Sequence, residues 1–398
     1  MAFFRNTAVN LLNLHYGIFA IVTTGGGAFI CVYLLKAGVS APGVLAAMAA
    51  ILLARFLIRP MVVPLAVRFG LKRLVILGTV LMATQFPVLA EVHGANLALY
   101  GYILAGAIAD TVYWSSYHAF FAALGDAEHR GHQLGMREAI SAVVGIVSPI
   151  AMGWVLVAFG PRTAFGASAA AAVLAALPLL WTPKIEVARE APGAFRAAWP
   201  GVKIFLTDGW MGSGLVFVWQ LALFVSLGEN YLHFGGALAL AALVGAIAGL
   251  FLGRYIDSGG GIRALLVATS GLAAVILLRA ASSGHPVLAV AANALANVGN
   301  CLYIPVEMTA VYNLAKRSPC TLRFHVATEG AWDVGGGSAS LIAAGMLWAG
   351  LPISAALLLP LVGLATGFVL LHRYYTEHGE IRQLEPVAVT GATPTTEI

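Results

Sequence analysis

The chain has 398 residues, of which 60% are hydrophobic and only 10% are charged, and its formal net charge is +5. A soluble globular domain has roughly a quarter of its residues charged, so this composition excludes a soluble globule and predicts a membrane protein. The three cysteines lie at no ligand-like spacing, which predicts neither a disulfide framework nor a metal site. The positive charge is better explained by basic residues in membrane loops than by a nucleic-acid partner.

Twelve apolar runs follow one another along the chain, each about as long as a helix needs to be to cross a bilayer. The first run follows Arg5 but is too long for the core of a signal peptide, so we predict that it is retained as a helix. The expected fold class is an all-α membrane protein. The runs lie near residues 9–34, 42–67, 74–92, 96–124, 134–159, 163–182, 204–228, 236–256, 263–283, 286–315, 324–348 and 352–373.

The basic residues are distributed unevenly between the two sides of these runs. If the amino terminus is cytoplasmic, only Lys36, Arg162 and Arg279 of the 22 lysines and arginines fall on the outer side, and Arg55 and Arg59 count with the inner charges. Cytoplasmic loops of membrane proteins are enriched in lysine and arginine. We therefore predict a multi-pass protein of the cytoplasmic (inner) membrane with both termini in the cytoplasm.

A stretch in the first half, residues 110–153, returns in altered form about 190 positions later as residues 300–344. In both copies an apolar segment with polar side chains leads into a charged loop. A second apolar segment follows, with a glutamate near its start, Glu138 or Glu329. Repeated loops can lie on the same face only if each unit holds an even number of spans. The recurrence therefore predicts two parallel six-helix repeats.

The predicted domain boundaries follow from composition. Residues 1–183 form the first six-helix half, and residues 204–375 form the second. Residues 184–203 form a cytoplasmic linker, because the charged stretch around them is the longest loop and holds three prolines. Residues 376–398 are polar and show no apolar period, so we predict a disordered tail.

Two loops at equivalent places of the repeats combine glycine with charged residues. They hold Arg68, Gly70, Lys72 and Arg73 in the first half, and Gly253 and Asp257 in the second. This pattern resembles the signature between helices 2 and 3 of the major facilitator superfamily, G-x-L-a-D-R-x-G-R-R. The resemblance implies that both loops act as gates that latch the cytoplasmic side. The alternative is that their charges only set the topology.

A second motif lies in the fifth apolar run, where Gly135, Pro149 and Gly153 match half of the positions of that family's antiporter motif. Small residues allow close helix packing, and proline bends a helix. The family often bears an arginine four residues before a glycine in helix 4, whereas here Tyr102 precedes Gly106. The chain resembles the twelve-helix proton-coupled efflux type, which implies a secondary active transporter that works by alternating access.

The resemblance leaves direction and coupling open. Proton-coupled export of a small solute is the first expectation, and proton-coupled uptake by symport is the second. A lipid-handling or transport-inactive member of the family is the third alternative, and the several interior carboxylates argue against a lipid route. The identity of the solute is not predicted.

Ionisable side chains inside the predicted helices mark candidate coupling sites. Each would cost roughly 2.5–3.5 kcal/mol at mid-bilayer if it faced lipid, so we expect all of them to face the interior of the bundle. For Glu138 and Glu329, which lie close to basic loops, the alternative is a purely structural ion pair with those loops. Asp110 is predicted to lie nearest the bilayer centre and is the expected proton carrier. The proton-coupling candidates are Asp110, His118, Glu138, Glu307, Glu329 and Asp333.

A polar stripe on the tenth run predicts part of the substrate cavity. Asn293, Asn297, Asn300 and Tyr303 recur at spacings of three or four residues and therefore share one helix face. The alternative is that they hydrogen-bond to neighbouring helices as structural glue. The other predicted cavity residues are Asp110, Trp114, Tyr117 and Gln220.

The sequence shows no enzymatic motif, since it has neither a phosphate-binding loop nor a nucleophile, base and acid at a catalytic spacing. We therefore expect no enzyme activity, no cofactor and no resident metal. The expected partners are a small-molecule substrate, protons and the lipid bilayer, and the expected oligomeric state is a monomer.

Overall fold

The computed structural model describes residues 6–124, 130–257 and 261–384, with the side chains of residues 122, 130–139, 252–257 and 378–384 outside that description. All regular secondary structure in these ranges is helical. The helix Arg130–Ala176 bends at Gly160, and its two arms are numbered separately. The long helical segments are α1 Thr7–Lys36, α2 Ala41–Phe69, α3 Leu71–Ala90, α4 Leu97–Leu124, α5 130–159, α6 161–176, α7 Trp199–Ser226, α8 Tyr231–Asp257, α9 Gly261–Ser282, α10 Pro286–Arg317, α11 Thr321–Trp348 and α12 Pro360–Leu384.

Ten stretches of the described residues are long and apolar enough to cross a bilayer. Bulky apolar side chains such as Leu250, Val287 and Trp348 are at least 80% exposed, as expected for a surface that contacts lipid. The prediction of a multi-pass membrane protein is therefore confirmed. The stretch Ile140–Trp181 contains α5 from residue 140 onward together with all of α6, and α11 is not among the ten. The count of twelve spans stays a prediction.

Breaks in helical geometry occur inside several of these segments. Gly160 has φ 79° and ψ 174°, a conformation that favours glycine, and Pro161 then begins α6. The π-helical turns Val22–Gly26 in α1 and Ser213–Val218 in α7 begin about 190 residues apart, which is the offset of the predicted repeat. These turns lie at equivalent places in the first helix of each predicted half.

The two halves contact each other along two helix pairs, α2 with α11 and α5 with α8. A Cβ atom added to Gly235 of α8 would lie 2.3 Å from the carbonyl oxygen of Pro149 in α5. A Cβ atom added to Gly153 of α5 would lie 2.5 Å from the carbonyl oxygen of Tyr231 in α8. Both distances are far below van der Waals contact, so only glycine allows the two backbones to approach this closely.

One end of the bundle is marked by the chain that joins the halves, and we call this end the linker face. Lys72 Nζ donates hydrogen bonds to the carbonyl oxygens of Leu180 and Thr182, at 2.7 and 2.6 Å. Arg323, at the start of α11, donates to the carbonyl oxygens of Ala188 and Arg189, at 3.2 and 2.6 Å. The linker is thus fixed to α11 of the second half, and the segment that leads into it is fixed to α3. At the other extreme of the chain, α12 continues past position 376, where the predicted tail begins, to Leu384, and residues 385–398 lie outside the described ranges.

Candidate functional site

Arg59 lies in a short 3-10 turn of α2 and is only 1% exposed. Its Nε donates to Asp333 Oδ2 at 2.9 Å, its Nη1 donates to Ser115 Oγ at 2.6 Å, and Nη1 also pairs with Glu329. A buried guanidinium is tolerated only where partners of this kind replace its water. Arg59 therefore connects α2 to both α4 and α11.

Arg55 lies one helical turn before Arg59 on the same face of α2. Its Nη2 contacts Asp333 Oδ1 at 3.0 Å, and its Nη1 contacts Asp110 Oδ2 at 3.3 Å. Asp333 is completely buried and bridges the two guanidinium groups, one with each oxygen. Two arginines thus face three carboxylates in one network, which we call the charge cluster. It consists of Arg55, Arg59, Asp110, Glu329 and Asp333.

Glycines on α11 allow α2 to approach closely enough to form the charge cluster. A Cβ atom on Gly337 would lie 2.9 Å from the side chain of Leu53, and one on Gly336 would lie 2.9 Å from the side chain of Leu52. A larger residue at either position would require these leucine side chains to shift. Gly336 and Gly337 thus keep the face of α11 that packs against α2 free of side chains.

Two imidazoles border the acidic end of the cluster. Ser115 Oγ donates to Glu329 Oε2 at 3.1 Å, and His118 Nε2 lies 4.0 Å from Glu329 Oε1. The ring centroids of His118 and His325 are 6.0 Å apart. A proton held by either histidine would therefore have a carboxylate close by.

A second acidic group lies in the second half of the chain and belongs to α7 and α10. Asp208 Oδ2 accepts a hydrogen bond from Trp332 Nε1 at 2.9 Å. Glu307 is 2% exposed, interacts electrostatically with Asp208, and has no hydrogen-bond donor for its Oε1 among the described residues. None of the ion pairs formed by described side chains involves either carboxylate.

Two cavities meet at Arg55. The smaller, of about 190 Å³, is largely apolar and is enclosed by α1 to α4 and α7, with Gln85 and Asp110 as polar lining residues. The larger, of about 340 Å³, lies between α4, α7, α10 and α11 and is lined by acidic and aromatic side chains. Arg55 and Trp114 border both cavities, so these two side chains separate them.

The sequence profile of the Major Facilitator Superfamily matches residues 14–322. The chain belongs to the major facilitator superfamily. Among solved structures, the POT family transporter PepTSo superposes with a TM-score of 0.68 at 9% identity, covering 96% of this chain and 99% of that one. The nucleoside transporter NupG, solved as a mutant, superposes with a TM-score of 0.63 at 13% identity, covering 93% and 99%. No curated protein matches the sequence. The predicted family and its all-α fold are thus confirmed. Twelve spans in two six-helix repeats and resemblance to the efflux type stay predictions.

The structure of this superfamily member brings several predicted site residues together. Asp110, Glu329 and Asp333 belong to the charge cluster, His118 contacts Glu329, and Trp114 borders both cavities. The other predicted coupling residue with a described side chain, Glu307, belongs to the acidic group with Asp208. The side chains of Glu138 and Asp257 lie outside the described residues, as do the surroundings of Gly253.

The polar stripe on α10 contacts neighbouring helices. Asn293 Oδ1 accepts from Trp219 Nε1 at 2.9 Å, and Asn293 Nδ2 donates to the carbonyl oxygen of Ala237 at 3.0 Å. Asn297 packs against Gly245 of α8. Such contacts with neighbouring helices agree with the alternative that the stripe has a structural role. The predicted cavity residues that line neither cavity are Asn293, Asn297, Asn300, Tyr303, Tyr117 and Gln220.

The predicted gating loop of the first half is held against the linker. Gly70 has φ 77°, and the backbone N–H of Leu71 donates to the carbonyl oxygen of Ile185 at 3.0 Å. Lys72 contacts Leu180 and Thr182 just before the linker, Arg68 lies over the ring of Phe69, and the Arg73 side chain is exposed. The gating role of this loop stays a prediction.

Sequence reasoning missed three site residues. Arg55 and Arg59 were counted with the inner topological charges, but the structure places both guanidinium groups inside the bundle. Asp208 was not singled out at all. The signal for the arginines was their spacing of four residues well inside the second apolar run, which puts both on one helix face within the bilayer.

Proposed function

We propose that this chain is a secondary active transporter that moves a small solute by alternating access of two six-helix halves, with protons as the coupling ion. Superfamily membership supports secondary transport. We further propose that the chain spans the cytoplasmic membrane twelve times, acts as a monomer, and has its linker face in the cytoplasm. Basic residues concentrated on the linker side support that orientation.

The observation that carries the proposal is the charge cluster across the α2/α11 contact. Arg55 and Arg59 come from the first half, and Glu329 and Asp333 come from the second. Removing one partner of a buried ion pair leaves an uncompensated charge and costs about 3–5 kcal/mol. The two halves therefore separate here only when a proton or a solute takes over the role of the lost partner.

Protonation of a cluster carboxylate supplies that compensation. A neutral Glu329 or Asp333 no longer holds Arg59 by charge, and the imidazole of His118 beside Glu329 offers a route for the proton. Asp110 borders the smaller cavity and, among the described side chains, forms its ion pair with Arg55, so its protonation leaves the ion pairs of Arg59 with Glu329 and Asp333 in place. We keep Asp110 as the first proton carrier and assign Glu329 and Asp333 to release of the interface.

We rank export ahead of uptake. The glycine and proline contacts between α5 and α8 support a pivot of the kind associated with the antiporter motif. Each cavity has carboxylates in its lining, such as Asp110 in the smaller and Asp208 in the larger, which argues against a lipid-handling role because a lipid tail would require an apolar path.

Proteoliposomes test the coupling. The purified chain is reconstituted with an internal pH-sensitive dye, and a panel of sugars, organic acids, amines and amphiphilic compounds is added with and without an imposed pH gradient. We expect at least one compound to move protons in the wild type and to lose this effect in Asp333→Asn. The exposed variant Glu377→Gln is the control. Solute movement that is independent of the pH gradient would contradict proton coupling.

Thiol labelling tests the orientation. In a chain without its three native cysteines, an impermeant reagent added to intact cells should label His285→Cys, in the loop between α9 and α10. It should label Glu190→Cys, in the linker, only after the membrane is opened. The reverse pattern would invert the proposed topology.

A further inference from the structure

The larger cavity combines a carboxylate with aromatic walls. Asp208 lies on one side, and the rings of Trp114, Phe205, Tyr312 and Trp332 form much of the rest. Its volume of about 340 Å³ is within the range of small-molecule sites, which begins near 300 Å³. The cavity is therefore large enough to enclose a compact organic molecule.

Asp208 differs from the carboxylates of the charge cluster because its hydrogen-bond partner is neutral. Trp332 Nε1 donates to Oδ2, and no lysine or arginine with a described side chain pairs with Asp208. The indole N–H orients the carboxylate but does not cancel its charge. Asp208 thus presents to the cavity a carboxylate that has no cationic partner among the described side chains.

Glu307 lies close enough to Asp208 to interact with it electrostatically, although it does not line the cavity. It is 2% exposed, and its Oε1 has no donor among the described residues. Two carboxylates without a cationic partner among the described side chains therefore lie in this region. A cation bound at Asp208 would also interact favourably with an ionised Glu307.

Arg55 is the one arginine or lysine among the described residues that line the cavity, and it already pairs with two carboxylates. Arg55 contacts Asp110 and Asp333, and its guanidinium lies 6.0 Å from the ring centre of Trp332. In the whole region, Arg55 and Arg59 face five carboxylates when all are ionised. An anionic solute would meet this acidic surplus, whereas a cation would reduce it.

We propose that the larger cavity binds an organic cation, a protonated or quaternary amine, with its positive charge at Asp208 and its apolar body against Trp332, Phe205 and Tyr312. Aromatic faces attract such cations through the ring quadrupole, and desolvation strengthens the attraction. The inference rests on the proposed function only in naming the solute class. Binding itself requires neither transport nor a proton gradient.

Three probes of matched shape and different charge test the inference on the purified full chain in detergent. They are benzyltrimethylammonium, its neutral isostere neopentylbenzene, and the anion phenylmethanesulfonate. Quenching of tryptophan fluorescence reports binding, because Trp114 and Trp332 line the cavity. We expect the cation to bind at least tenfold more tightly than the neutral isostere, and the anion not to bind. Equal binding of cation and isostere, or tighter binding of the anion, would overturn the inference without any mutation.

Variants then locate the charge. Asp208→Asn should weaken the cation at least tenfold and leave the neutral probe unchanged, whereas Asp208→Glu should retain most of the affinity. Glu377→Gln is the exposed control and should bind as the wild type does. Cation binding that is unchanged in a folded Asp208→Asn variant would overturn the inference.

The outcome is distinguishable from a failure of the proposed function. If the cation does not bind but a different solute is driven across proteoliposomes by the pH gradient, only the inference fails. If the cation binds but no compound moves protons, only the proposed function fails.

Discussion

Arg59 of α2 and Asp333 of α11, 274 positions apart in the sequence, are joined inside the bundle by a hydrogen bond of 2.9 Å between Nε and Oδ2. Both side chains are at most 1% exposed, so water does not compensate either charge. The pair links the first half of the chain to the second in its interior. We infer that the charge cluster holds this conformation and that its opening belongs to the transport cycle.

Replacing Arg59 by methionine should therefore destabilise the protein strongly. The change leaves Glu329 and Asp333 without their buried partner, at an expected cost of about 3–5 kcal/mol. Thermal unfolding of the detergent-purified protein measures the loss. Arg73→Met removes an exposed arginine instead and should change the midpoint little.

A compensating variant separates charge from packing. Adding Glu329→Gln and Asp333→Asn to Arg59→Met removes the stranded charges and should restore much of the lost stability. A midpoint for Arg59→Met equal to that of the wild type would show that the pair does not hold the halves together.

The sequence predicted the acidic members of this cluster but not their partners. Helix periodicity and the cost of charge in a bilayer were enough to turn Glu329 and Asp333 inward. The identity of a partner depends on which helix lies opposite, and a partner 274 positions away leaves no local signal. Arg59 was therefore counted with the loop charges.

The polar stripe on α10 illustrates the same limit. Its spacing established that Asn293 and Asn297 share a helix face, but a face turned toward a neighbouring helix has the same period as one turned toward a cavity. The structure places Asn293 between Trp219 and the carbonyl oxygen of Ala237. Asp208 carried no periodic signal, because it is a single acid in an otherwise apolar run.

Asp110→Asn should uncouple transport from the proton gradient. The variant keeps the shape of the side chain, removes its titration, and leaves Arg55 paired with Asp333. We expect uphill transport in proteoliposomes to disappear while exchange of labelled for unlabelled solute continues at a similar rate. Asp110→Glu, which keeps a titratable group, should retain part of the uphill transport. Full uphill transport in Asp110→Asn would contradict this role and assign coupling to Glu307 or to one of the remaining carboxylates of the charge cluster.

Gly235→Ala should disturb the contact between α5 and α8. The added methyl group would lie 2.3 Å from the carbonyl oxygen of Pro149, so the helices must shift, at a typical cost of about 1–3 kcal/mol. We expect a lower unfolding midpoint and slower transport. The neighbouring Gly236 has nothing within 4 Å of an added Cβ atom, so Gly236→Ala is the matched control. Equal transport by the two variants would argue against close packing as a requirement.

Lys72→Met should loosen the linker. Its Nζ donates to the carbonyl oxygens of Leu180 and Thr182, and methionine keeps the length of the side chain without the donor. Hydrogen exchange of the amides in residues 182–189 should become faster, and transport should slow if this loop is a latch. Arg73→Met is the control for the exchange measurement, since that side chain is exposed. Unchanged exchange and unchanged transport in Lys72→Met would leave the loop with a topological role only.

A reversible cross-link between α2 and α11 tests the central claim most directly, because it prevents the separation that alternating access requires. The cross-link is formed between Leu53→Cys and Gly337→Cys in a chain without native cysteines. A Cβ atom on Gly337 would lie 2.9 Å from the side chain of Leu53, so the two thiols are close enough to form a disulfide. Each single cysteine variant is a control that cannot cross-link. The measurement is solute flux in proteoliposomes before oxidation, after oxidation and after reduction. We predict that oxidation abolishes flux in the double variant and that reduction restores it, whereas full flux through the cross-linked protein would contradict an interface that opens between α2 and α11.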